Sequence, residues 1–170
     1  LYDYDGVKYL DAISSWWVNL FGHSNAYINK SIKTQLSQLE HVLLAGFTHE
    51  PAIDLSERLI KLTPSKITKC FFTDNGSSSI DAAMKMSYHY WQNKKKKSKV
   101  KFIALSNSYH GETLGSLSVS NIDLYKKTYE NILKETIIVE SPDSYNKSEN
   151  ISEEKHAEIM FDKMYKTIKK

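Results

Sequence analysis

The chain has 170 residues, 41% of them hydrophobic and 25% charged, with a formal net charge of +3 and a single cysteine, Cys70. That composition fits one ordinary soluble domain or a large part of a bigger one, and no apolar run approaches the length of a bilayer span. A lone cysteine excludes an internal disulfide and fits a reducing cytoplasm.

Arg58 is the only arginine, so the basic residues are otherwise lysines and the segment offers almost no planar, bidentate grip for carboxylates or phosphates. An anion bound here has to be held by backbone amides and hydroxyls. The chain opens at Leu1, without an initiator methionine and inside what reads as a strand, so a piece of a longer protein is expected.

In chain order, Leu1 to Leu10 reads as a hairpin, with Asp5-Gly6 as its turn between Tyr2, Tyr4, Val7 and Tyr9. Ser14 to His23 is irregular and carries Trp16-Trp17. A helix is expected from about Asn25, with Ile28, Ile32, Leu36, Leu39 and Leu43 at helical spacing. A second follows Pro51, with Ala52, Leu55, Leu59 and Leu62 on one face, and ends at Thr63-Pro64. Thr68 to Thr73 reads as a strand that buries Cys70. A helix runs from about Ser78 to Gln92, its stripe being Ile80, Ala83, Met84, Tyr88 and Trp91; Ser78 and Asp81 approximate a capping box.

Strands are expected at Lys101 to Leu105 and Thr136 to Val139, and a final helix from Ser152 with a buried stripe of Phe161, Met164, Tyr165 and Ile168. Strand, helix and strand in this order predict an α/β fold with a mostly parallel sheet of three strands and flanking helices.

Two segments carry the candidate chemistry. Phe71 to Thr73 leads through Asp74-Asn75-Gly76 into Ser77-Ser78-Ser79, where a glycine turn opens a helix. Free N–H groups, the positive helix end and hydroxyls converge there, as a phosphate seat requires. A plain N-cap accounts for the same residues. Walker A and Gly-x-Gly-x-x-Gly patterns are both absent.

Ser108-Tyr109-His110-Gly111 follows the next strand, on the rim where ligands of such sheets bind, so Tyr109 is either packing or a platform for a cofactor ring. Trp16 and Trp17, adjacent in a non-helical stretch, cannot both enter one core, so one of them lines a cavity or interface unless both simply pack. The histidines lack metal-ligand spacing, which speaks against a zinc site. The Lys94–Lys97 run has no interleaved aromatic platform or binding motif and sits where a solvated loop is expected, so no nucleic-acid partner is expected. No Gly-x-Ser-x-Gly elbow supports a hydrolase.

Asp5-Gly6, Tyr9-Leu10-Asp11, Ser14-Ser15-Trp16-Trp17, Phe21-Gly22-His23, Gly46-Phe47-Thr48-His49-Glu50-Pro51, Asp74-Asn75-Gly76-Ser77, Ala83-Met84-Lys85-Met86, Tyr90-Trp91-Gln92 and Ser108-Tyr109-His110-Gly111 occur in one order. In that order they resemble the class III, fold type I, pyridoxal-phosphate aminotransferases from about Leu1 to Asp143. The resemblance implies pyridoxal 5'-phosphate as cofactor, its phosphate held by Gly76 and Ser77 and its ring beside Tyr109. Trp16 and Tyr109 would line the substrate pocket.

The resemblance also implies residues 1–45 in the small domain and substrate pocket, and 46–170 as the first part of the large, cofactor-binding domain. A homodimer is implied for the complete protein. The Ser-Ser-Trp-Trp and Ala-Met-Lys-Met segments further imply S-adenosylmethionine as amino donor and 8-amino-7-oxononanoate as acceptor, a step of biotin synthesis. A class III aminotransferase for ornithine, aminobutyrate or another amine is the alternative, and a non-catalytic fragment a third. Asp81 stands where the family has glutamate, and no role is carried onto it. No lysine here sits in the motif of the family's cofactor-bonding lysine, which the resemblance puts beyond Lys170. The catalytic set within this chain is therefore empty.

Overall fold

The computed structural model describes residues 1–169 and divides the chain into two compact units, Leu1–Cys70 and Phe71–Lys170.

The first unit begins with the expected hairpin, reduced to one antiparallel bridge between Tyr2 and Lys8. Its turn is organised by Asp3. The Asp3 carboxylate accepts from the amides of Asp5 (3.1 Å) and Val7 (2.9 Å) and from the Tyr9 hydroxyl (3.0 Å). These bonds, that of Val7 foremost, hold the Asp3 carboxyl below its ordinary value. Gly6 takes the left-handed conformation (φ 79°) that closes the turn.

Next comes α1, Ser14–Trp17, a single turn. Helix α2, Ala26–Leu36, is capped by Asn25, whose side chain accepts from the amides of Tyr27 and Ile28. It stops at Leu36, so Leu39 and Leu43 are not part of its stripe. The chain reverses there, with the amides of Gln38 and Leu39 both bonded to the Gln35 carbonyl and the Gln35 side chain bonded to the Leu39 carbonyl. Helix α3, Glu50–Leu62, has its proline in the first turn and ends at Thr63, as expected.

Thr68 to Thr73 is not a strand. A ladder needs a partner, and no described segment pairs with this one. The sheet of the described residues accordingly has two strands rather than three, and Cys70 is half-buried.

In the second unit, α4, Gly76–Asn93, is followed by β1, Ile103–Leu105. Strand β2, Ile137–Val139, pairs parallel to β1 in the register Ile103–Ile137, Ala104–Ile138 and Leu105–Val139. The crossover between them contains three short elements that the sequence reading did not anticipate: α5 (Leu114–Ser118), α6 (Asp123–Lys126) and a 3₁₀ turn over Lys127–Ile132. Helix α7, Glu153–Lys169, lies against β2.

The buried apolar side chains among the described residues are Ala104, Leu117, Val119, Val139 and Met160, all in this unit, Leu117 fully so. Ser116, Ser118 and Ser120 are buried beside them, their hydroxyls donating to the carbonyls of Thr113, Leu114 and Ser116. The buried face of α7 is Met160, with His156 and Met164 half-buried one turn to either side. Phe161, Tyr165 and Ile168, expected inside, are exposed; the stripe is rotated from the one read off the sequence.

Asn75, not Ser78, caps α4, its side chain accepting from the Ser78 amide at 2.8 Å. Asn75→Ala is expected to cost about 1 kcal/mol, read as a lowered urea midpoint, whereas Ser78→Ala should leave it almost unchanged.

Candidate functional site

The start of α4 leaves two backbone donors open. Of its first four amides, that of Ser78 goes to the Asn75 side chain and that of Ser79 to the Asn75 carbonyl at 3.1 Å. The amides of Gly76 and Ser77 find no acceptor among the described residues. Gly76 is exposed, and a Cβ placed on it would meet nothing within 4 Å. The hydroxyls of Thr73 and Ser79 are hydrogen-bonded to each other and each lies 3.1 Å from the Asn75 carbonyl, which fixes the turn in front of the opening. Two free amides and open space at the positive end of an 18-residue helix fit a phosphate group.

The rim after β1 is pinned onto this seat. Asn107 adopts φ 58° just past the strand. The Asn121 amide donates to the Ser108 carbonyl at 2.7 Å, and the His110 amide to the Ser120 hydroxyl at 2.9 Å. Gly111, buried with φ 117°, then passes so close to Ser77 that a Cβ there would lie 2.8 Å from Ser77 Cβ and 3.0 Å from Ser77 Cα. The Glu112 amide donates to Ser77 Oγ at 3.2 Å. Gly115 makes a second close approach, where a Cβ would lie 2.9 Å from the Asp81 carboxyl carbon. The seat and the Tyr109 loop are thus one assembly: Gly111 has no room for a side chain, and at Gly115 a side chain would displace the Asp81 carboxylate.

Tyr109 donates its hydroxyl to Glu112 Oε1 at 3.0 Å, and its ring stands 5.1 Å from that of Tyr125. The bond to Glu112 raises the phenol above its usual value, so at neutral pH it stays protonated and donating. Glu112 is the residue the sequence reading missed. Its amide holds Ser77 and its carboxylate holds Tyr109. The available signal was the three-residue spacing from Tyr109 across a His-Gly turn, which puts the two side chains on one side. Of the predicted residues, Gly76, Ser77 and Tyr109 belong to this assembly.

Trp16 belongs to the first unit. There Ser14, Ser15, Trp16 and Trp17 all have left-handed backbone (φ 50°, 47°, 65° and 70°). None is glycine, so the run costs roughly 1–2 kcal/mol per residue before compensation. The indoles stack on each other, with centroids 5.6 Å apart and planes at 24°, and both are exposed. Neither is core.

Beside them the Asp11 carboxyl is held at about 2 by the Ser15 amide first, then by the His23 ring and the Ser15 hydroxyl. This depressed carboxylate contributes stability above its ordinary 3.8, and the contribution is lost as pH falls through about 2.

Comparison with known proteins places these features in context. The family model described as aminotransferase class-III matches residues 1–170. Adenosylmethionine-8-amino-7-oxononanoate aminotransferase of Helicobacter pylori is 52% identical over 152 residues, covering 88% of this chain and 34% of that protein. The Staphylococcus aureus protein of the same name is 44% identical over 163 residues, covering 94% and 36%. The chain therefore spans about a third of the length of the curated relatives it matches.

Among solved structures, that of the Methanocaldococcus jannaschii protein of this name matches with a TM-score of 0.78 at 37% identity, over 84% of this chain and 32% of that one. An omega transaminase from Pseudomonas jessenii in complex with PMP matches with a TM-score of 0.87 at 30% identity, over 98% and 37%. The α/β architecture with a parallel sheet is thus that of the transaminases.

Proposed function

Because the chain belongs to the class-III aminotransferase family, we propose that it is the N-terminal part of an enzyme moving the amino group of S-adenosylmethionine onto 8-amino-7-oxononanoate. The product is 7,8-diaminononanoate, in biotin synthesis, and the compartment is the cytoplasm. The observation that supports aminotransferase chemistry is the pair of open amides at Gly76 and Ser77, tied through Glu112 to Tyr109. The choice of substrates rests on identity rather than shape. The omega transaminase gives the higher TM-score at 30% identity, while 52% is reached with the adenosylmethionine enzyme.

In this reading Gly76 and Ser77 hold the phosphate of pyridoxal 5'-phosphate, and Tyr109 lies against its ring and the substrate. The cofactor supplies the electron sink for transamination. The chain's part is to bind and orient. The helix start neutralises the phosphate, the Glu112 amide sets the Ser77 hydroxyl, and the Glu112 carboxylate sets the Tyr109 phenol. Trp16 lines the substrate pocket. Residues 1–45 contribute to the small domain and 46–170 begin the large one. The complete protein is a homodimer, which accords with the many large apolar side chains this chain exposes, Phe47, Phe71, Leu114 and Ile132 among them.

The test is amino-donor specificity of the full-length protein. S-adenosylmethionine should support turnover of 8-amino-7-oxononanoate, and ornithine and aminobutyrate should not; the reverse result would overturn the substrate assignment. This chain alone should be inactive, since none of its lysines matches the family's cofactor-bonding position. Borohydride treatment with pyridoxal phosphate should label no single lysine stoichiometrically, as peptide mass spectrometry would show.

A further inference from the structure

We propose that Asp11, Ser15 and His23 form a clamp that holds Trp16 and Trp17 in their left-handed turn, which makes Asp11 and His23 positioning residues for the tryptophan pair. Four consecutive non-glycine residues do not keep left-handed backbone unaided. Within the turn, the Trp17 amide reaches the Ile13 carbonyl at 2.8 Å, and the Val18 and Asn19 amides share the Ser14 carbonyl at 3.0 and 2.9 Å. These bonds close the loop without fixing its hand. Side chains on both flanks do that, and they meet at one oxygen.

Asp11 Oδ2 accepts from Ser15 Oγ at 2.8 Å, inside the turn, and lies 2.7 Å from His23 Nε2, beyond it. The other ring nitrogen of His23 faces Asn19 Nδ2 at 3.3 Å. Asn19 can only donate through that nitrogen, so Nδ1 is the acceptor and Nε2 carries the proton it gives to Asp11. This assignment also excludes the nucleophilic reading of an Asp–His–Ser set. Ser15 Oγ is 3.3 Å from the same Nε2. A nitrogen that already donates cannot take the serine proton.

The burial supports the same role. The Asp11 side chain is only 10% exposed, against 63% for Trp16 and 74% for Trp17. In a segment left open to solvent, the shielded group is the Asp11 carboxylate on which the clamp closes; His23, at 39%, and Ser15 are exposed like the indoles. The proposal concerns the pair's geometry; its bearing on substrate rests on the assignment of Trp16 to the pocket given above.

Stacked indoles give an exciton couplet in circular dichroism, and the chain has one further tryptophan, Trp91, which Trp91→Phe removes from the signal. In that background, without cofactor or substrate, Asp11→Ala and His23→Ala, which remove the acceptor and the donor outright, should abolish the couplet while the helical signal persists, and Trp16→Phe should abolish it by construction. A couplet retained in both Asp11→Ala and His23→Ala would overturn the clamp. Should either variant lose its helical signal, Ser15→Ala, which removes one bond and keeps the Asp11–His23 hydrogen bond, takes its place and should weaken the couplet; an unchanged couplet there again overturns it. In the full-length enzyme Asp11→Ala should raise KM several-fold more than it lowers kcat. An unchanged KM with a lost couplet would uphold the clamp and remove Trp16 from the substrate pocket.

Discussion

Gly111→Ala should be among the most damaging single substitutions in this chain. The residue sits at φ 117°, where only glycine is at ease, and the added Cβ would press on Ser77 Cα and Cβ, neither of which a rotamer change can move far enough. A backbone region of that kind costs about 1–3 kcal/mol and overpacking about as much again. A loss of about 3 kcal/mol or more in urea unfolding is expected, with loss of pyridoxal-phosphate binding. Gly76→Ala is the contrast. Its Cβ would enter open space, so stability should stay within about 0.5 kcal/mol while cofactor affinity falls. An unaltered urea midpoint for Gly111→Ala would mean that the loop does not meet α4 as described.

Leu117→Ala should cost about 3 kcal/mol, within the range for a buried leucine truncated to alanine. Leu117 is 1% exposed, in a short helix walled by the buried serines 116, 118 and 120. Such polar walls collapse poorly around a cavity, because their hydroxyls are committed to backbone carbonyls. Phe161→Ala serves as the control: a larger truncation at a side chain 59% exposed should cost less than about 1 kcal/mol. Equal effects from the two, read by thermal or urea unfolding, would contradict the burial pattern.

Those two positions show where the chain could be read and where it could not. Helices α2, α3, α4 and α7 were legible because caps, an early proline and long apolar periodicity are local signals. Leu117 was not, because Leu114–Ser118 is too short for a period and its serines look like a loop; they are buried only by tertiary bonds. The α7 stripe was misjudged because Met160 and Phe161 are both apolar and adjacent, and only the position of β2 decides which one turns inward. Thr68 to Thr73 has strand composition, but pairing is a property of two segments. At the seat, the glycine turn and the tyrosine were visible as motifs. The carboxylate joining them was not, since a hydrogen bond across a turn leaves little trace in composition.

The two bonds of Glu112 have a thermodynamic consequence. One short peptide segment is shared by the hydroxyl at the anion seat and by the phenol beside it. Displacing either partner changes the free energy of the other, so occupancy of the two places is linked. By reciprocity, the factor by which an anion at Gly76–Ser77 strengthens docking against Tyr109 equals the factor by which that docking strengthens the hold on the anion.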